Sequence, residues 1–229
     1  MQSERSIPVI GASASSRQEF IRKTYLHLLA AILVFTGLEF FFFSTGIAQS
    51  IMEVVAQMNW LIILGGFMIA SWIASRFAQA SRSKGVQYFG LGLYVLAQAV
   101  IFVPLLYIAQ MKAGGGVIET AAYATILGFG GLTTIAFGTK ADFSWMGKIL
   151  IWAFVGAIIL VVMGTLFGFE LGTFFSVAMI VLAGAAILYD TSNIIHHYSE
   201  DDYVAASLQL FASVALMFWY VLRLLSSRD

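Results

Sequence analysis

The sequence predicts an all-α integral membrane protein, a bundle of seven transmembrane helices, and three observations carry that class. The chain of 229 residues is 60% hydrophobic, and its charges balance at 12 basic and 12 acidic. Its apolar residues gather into seven runs of 18 to 24 residues. Each is close to the ~20 residues needed to cross ~30 Å of hydrocarbon at 1.5 Å per residue. Only Glu39 and Asp190 among the charged residues fall inside those runs. A spanning β-strand would need only about 10 residues of alternating pattern, so a barrel is excluded. The even charge leaves no basic surplus for a nucleic acid.

In chain order, residues 1–19 are polar and serine-rich and are expected to form a cytoplasmic tail, with residues 20–229 as one seven-helix domain. Ala12-Ser13-Ala14 has the small residues of a cleavage site but precedes the first apolar run, so no cleavable signal peptide is expected. The spans run over 25–48, 58–75, 86–109, 120–138, 149–169, 173–195 and 203–222. Their connections have 9, 10, 10, 10, 3 and 7 residues, which leaves no room for a soluble domain on either side. Function is therefore expected inside the bundle or on its short loops.

Orientation follows from the basic residues, because positively charged flanks resist translocation. With the N-terminus inside, the cytoplasmic flanks hold Arg5, Arg17, Arg22, Lys23, Arg76, Arg82, Lys84, Lys140 and Lys148. The outer flanks hold Lys112, Arg223 and Arg228. Seven spans then put the C-terminus outside, and the two arginines near that end pull against the assignment. Small residues supply close helix contacts: Gly164, Gly168 and Gly172 are spaced four apart, as are Ala70 and Ala74, and Gly128, Gly130 and Gly131 cluster. Pro104 in span three frees a carbonyl and predicts a kink. No internal repeat points to an inverted-repeat transporter.

The intramembrane acids are the informative residues, since a central Asp costs about 2.5 to 3.5 kcal/mol even on the lower scales. Asp190 lies five residues from the inner end of span six, roughly 7 Å deep, too far for so short a side chain to reach water. It must be protonated, pair with a cation, or face a wet cavity, and each option makes it a candidate ion site or pH gate. Glu39 lies nine residues from the outer end of span one, roughly 14 Å deep. It is either a second member of that path or a buried neutral helix contact. Arg76 ends span two at the level of Asp190 and is either a phosphate anchor or its ion-pair partner. His196 and His197 stand at the membrane exit, as pH sensors or as plain interfacial histidines. Glu200, Asp201 and Asp202 follow, as a cation-gathering mouth or as a solvated loop.

Catalysis is not expected. The chain has no cysteine for a thiolate nucleophile or metal site. A retinal Schiff base would need a lysine in span seven, which has none. The only histidine inside a span is His27, which leaves no serine–histidine pair at matched depth and no convergent set of zinc ligands. No cofactor and no metal centre are expected.

Three segments carry a resemblance. Thr139-Lys140-Ala141-Asp142-Phe143-Ser144-Trp145-Met146-Gly147 resembles the T-K-x-D-F-S-x-M/L-G loop of bacterial members of the Bax inhibitor family. Ile187-Leu188-Tyr189-Asp190-Thr191-Ser192-Asn193-Ile194-Ile195-His196 is similar to that family's sixth-helix signature, and Gly131-Leu132-Thr133-Thr134 to its fourth-helix segment. The seven-span layout agrees over residues 20–225. The resemblance implies a bundle with the seventh helix at its centre and a pH-sensitive calcium leak. In that leak two aspartates on helices six and seven share a proton, and an arginine of helix two acts as a latch. Asp190 matches the first aspartate, and Arg76 matches the latch by its place in the span. Ser213 stands where the second aspartate belongs, so any pH response is expected to be shallower or shifted. That serine also brings the chain closer to the bacterial branch that includes the modulator of the membrane protease FtsH. The alternative implied is a non-enzymatic inner-membrane protein that binds and restrains the protease through its N-terminal tail.

Overall fold

The computed structural model describes residues 11, 13–80, 83–113 and 115–227. Among the described residues eight helices are formed: α1 Ala14–Ser44, α2 Ile47–Gln57, α3 Trp60–Ala80, α4 Lys84–Ala113, α5 Gly115–Thr139, α6 Met146–Phe167, α7 Thr173–His196 and α8 Tyr203–Ser226. All but α2 are long and apolar enough to span a membrane, which gives the seven spans expected. Helices are the natural outcome where water is absent, because they satisfy every backbone N–H and C=O within the segment. Arg5, Arg82 and Arg228 lie outside the described residues.

The first helix begins earlier than the boundary at residue 20 suggested. The Ser13 hydroxyl accepts from the Ser16 N–H at 3.2 Å and caps α1, so residues 14–19 are helical. The same helix ends earlier than residue 48. The hydroxyls of Ser44 and Thr45 both donate to the Phe41 carbonyl, at 3.2 and 2.7 Å, and satisfy the helix end. Gly46 then takes φ +81°, a left-handed turn that few side chains adopt. The 11 residues of α2 are too few to cross. Its Ile47, Ala48, Ile51 and Met52 fold back on Phe42, Ala99 and Val103 of α1 and α4. Glu39 is therefore only five residues from its helix end, about 8 Å deep rather than 14.

At the α6–α7 connection Gly168 ends α6 with φ +72° and Gly172 precedes α7. Those glycines are helix boundaries, and of the expected stripe only Gly164 packs, against Phe169. α4 continues through Pro104 as one helix.

The last span is central, as the resemblance implies. Of the most apolar 18 residues of α8, 61% are buried, against 17% for α6. α8 packs on α1, α3, α4, α5 and α7, whereas α6 leans chiefly on α7 and touches α3 only slightly. The tightest seam joins α3 to α4. A Cβ at Gly90 would stand 2.6 Å from the Ala74 carbonyl oxygen and from the Ala78 nitrogen, so the backbones meet there with no side chain between.

Candidate functional site

Asp190 sits on α7, 2% exposed, and faces α8. Its Oδ2 accepts a hydrogen bond of 2.5 Å from the Ser213 hydroxyl, which is itself 5% exposed. Both residues line a cavity of about 530 Å³. The same wall carries Gln98 and Tyr94, one turn apart on α4, with the Gln98 amide donating to the Tyr94 hydroxyl at 3.2 Å. Gln209, Tyr189, Tyr220 and Arg223 add to its polar part. A carboxyl group held by one neutral donor beside a cavity can change its charge without breaking an ion pair.

The expected partnership of Asp190 with Arg76 is not formed. Arg76 is exposed, and its guanidinium lies over the Trp72 ring at 5.3 Å. The reason is helix geometry. Ala74 and Ala78, both fully buried, make the face of α3 that meets α4. Residue 76 is two positions from each, about 200° round the helix, and points away.

Glu39 is buried at 8% exposure with neither carboxyl oxygen hydrogen-bonded among the described residues, and it does not line the Asp190 cavity. The structure thus keeps the two intramembrane acids apart. At the loop, Lys84 donates to the Asp201 carbonyl and lies 4.0 Å from its carboxylate, while Glu200 is exposed and Asp202 precedes α8. Among the described residues no three His, Asp or Glu side chains converge, so this acidic run does not join Asp190 in one cluster.

His196 and His197 diverge, as neighbours on a helix must. His196 Nδ1 is 2.9 Å from the Ser192 carbonyl oxygen one turn back. His197 Nε2 is 3.7 Å from the Asp142 carboxylate in the α5–α6 loop. That loop is docked on the end of α7. The Phe143 N–H donates to the Ser192 hydroxyl at 2.8 Å, and that hydroxyl lies 3.3 Å from the Ala141 carbonyl oxygen. The N–H of Ser144 closes a turn on Asp142 at 2.9 Å. That bond, then the Ser144 hydroxyl and the nearby histidines, hold the Asp142 carboxyl below its ordinary range. Two of the three sequence segments that carry the resemblance therefore meet as one contact. Ser192 and Asp142 stand in those segments but drew no role from sequence. Tyr94 and Gln98 were missed too, although two polar side chains four apart inside a span signal an inward face.

The fold and this site define a multi-pass helical membrane protein whose central helix hydrogen-bonds a buried acid at the edge of a cavity. The family profile described as inhibitor of apoptosis-promoting Bax1 matches residues 17–229. An uncharacterized protein of Helicobacter pylori strain J99 is 31% identical, over 92% of this chain and 88% of its own length. Bax inhibitor 1 of Schizosaccharomyces pombe is 26% identical over 98% and 82%. The Golgi anti-apoptotic protein of vaccinia virus strain Lister is 33% identical over about half of each chain, 48% and 46%. The chain belongs to the Bax inhibitor family.

Proposed function

We propose that the chain is a pH-sensitive leak for calcium or another cation in a bacterial inner membrane, with its N-terminus in the cytoplasm, its C-terminus outside, and no enzymatic step. The observation that carries this reading is the Asp190–Ser213 pair, which puts a titratable carboxyl on the cavity at the α7–α8 seam. Proton occupancy there decides whether the cavity wall carries a charge, and a charge decides whether a cation is held. Ser213 serves as donor in the absence of a second aspartate, so a single proton is counted. Purified protein in calcium-indicator liposomes across a pH series tests it. Asp190→Asn should give a flux that no longer varies with pH. An unchanged pH profile in that variant removes the gate.

The serine at residue 213, through its resemblance to the bacterial branch that includes the FtsH modulator, supports a second reading, restraint of that membrane protease. Because α1 starts at Ala14, the tail to remove is residues 1–12. Undiminished co-purification of that truncated protein with the protease would take the tail out of the reading.

A further inference from the structure

Alone among the spans, α6 does not pack closely on α8, and the Asp190 cavity is lined by both. Between its inner and outer ends the walls are apolar, formed by Leu64 and Phe67 of α3, Phe154 and Ile158 of α6, and Leu216 and Trp219 of α8. Since α3 and α6 scarcely touch, this space opens sideways towards the bilayer. At its outer end it joins a second cavity of about 550 Å³, sharing Trp60, Val161 and Arg223 with it. The second cavity is polar, with Thr165, Thr173 and Ser176 among its lining residues.

Arg223 stands at the junction. One guanidinium nitrogen donates to the Leu171 carbonyl at 2.8 Å, and the group lies 6.0 Å from the Phe175 ring. Arg223 makes no ion pair among the described residues. Its fork of five donors is therefore mostly unspent, and such a fork suits phosphate. Glu170, exposed in the α6–α7 connection, lines the same vestibule. Arg223 thus borders both the apolar cleft and the polar vestibule, whereas Glu170 borders the vestibule alone.

We infer that this cleft is a binding site for one zwitterionic phospholipid, an acyl chain lying between α6 and α8, its phosphate on Arg223 and its amine towards Glu170. The order of groups along such a lipid is chain, phosphate, ammonium, which matches the order of the walls. A groove open to the bilayer without a helix to fill it suits an acyl chain. A purely anionic lipid would satisfy Arg223 but meet Glu170 unpaired, so the two charges together select the zwitterion.

The test is native mass spectrometry of the full chain in detergent, offered equal phosphatidylethanolamine and phosphatidylglycerol. The protein should retain one phosphatidylethanolamine at least fivefold over phosphatidylglycerol, and glycerophosphoethanolamine, the headgroup without chains, should not displace it. Glu170→Gln should erase the preference while keeping retention. Arg223→Gln, and Ala157→Phe in the α6 wall, should each lower retention of both lipids at least fivefold. Equal retention of the two lipids by the unmodified protein, or undiminished retention in Arg223→Gln, would overturn the assignment. The unmodified protein decides the matter even if a variant does not fold. Lipid retention is read without flux, so failure here leaves the proposed leak standing, and failure of the leak leaves this site standing.

Discussion

Gly147 lies against the ring of Tyr189 so closely that a Cβ at residue 147 would stand 2.9 Å from both the ring carbon Cε2 and the hydroxyl oxygen. Gly147 closes the loop segment that resembles the family, Tyr189 precedes the intramembrane Asp190, and both line the Asp190 cavity. The loop and the acid are thus mechanically connected.

Gly147→Ala should push Tyr189 aside, at a loss of about 1 kcal/mol, the low end for overpacking because the far side of a ring can swing. Tyr189→Phe in the same chain should recover part of the loss by removing the hydroxyl. Thermal unfolding of the single and double variants checks it, and full additivity of the two changes would show that the contact carries no strain.

Ser213→Ala leaves the Asp190 carboxyl without its hydrogen-bond donor. A buried polar group stripped of its partner costs about 1 to 3 kcal/mol, so unfolding should be measurably easier. Ser213→Asp places a second carboxyl opposite the first, and the coupled pair should steepen the dependence of flux on pH. A liposome flux curve of unchanged slope in Ser213→Asp would mean that residue 213 does not communicate with the gate.

Gly90→Ala meets backbone, not a movable side chain, so α3 and α4 must separate. The loss should reach about 3 kcal/mol, the upper end for overpacking. Gly65→Ala and Gly66→Ala on α3 meet nothing within 4 Å and should lose nothing, which makes them the controls for the same unfolding measurement.

Asp142 gives a pH dependence whose sign is fixed. Its folded-state pKa is depressed, chiefly by the Ser144 N–H, so its share of loop anchorage is fully present above the ordinary Asp value of about 3.9 and is lost as the pH falls through the lower folded one. Hydrogen exchange at Ser144 should therefore stay slow from pH 7 to 5, and Asp142→Asn should speed it severalfold throughout that range. Equal exchange in the two proteins would show that the turn holds without the carboxylate.

The seven spans were legible because hydrocarbon imposes one rule on every backbone group, and apolar length reveals obedience to it. Ser213 opposite Asp190 was legible only through the resemblance, since no spacing rule relates residues on different helices. The break after Ser44 was not legible from hydropathy: Thr45 and Gly46 are mild on that scale, and their effect is a hydroxyl bond and a left-handed backbone. Arg76 was misread for a related reason. Depth along a helix follows from counting residues, but the direction a residue faces is set by packing, here by Ala74 and Ala78 against Gly90. The acids of the 200–202 loop share a sign and a neighbourhood, yet Lys84 takes Asp201 and the chain turns into α8 at Asp202.

The 31 residues of α1 make a rod about 46 Å long, some 16 Å more than the hydrocarbon is thick. Its C-terminal end is fixed by the turn at Gly46, so the excess is taken up by tilt or projects at the other end. The projecting turns carry the Glu19–Lys23 ion pair at 2.8 Å and the capping serine. Any protein approaching from that side would meet a charged helical turn at Glu19 and Lys23, and its grip on that turn would depend on how far the local bilayer lets α1 stand clear.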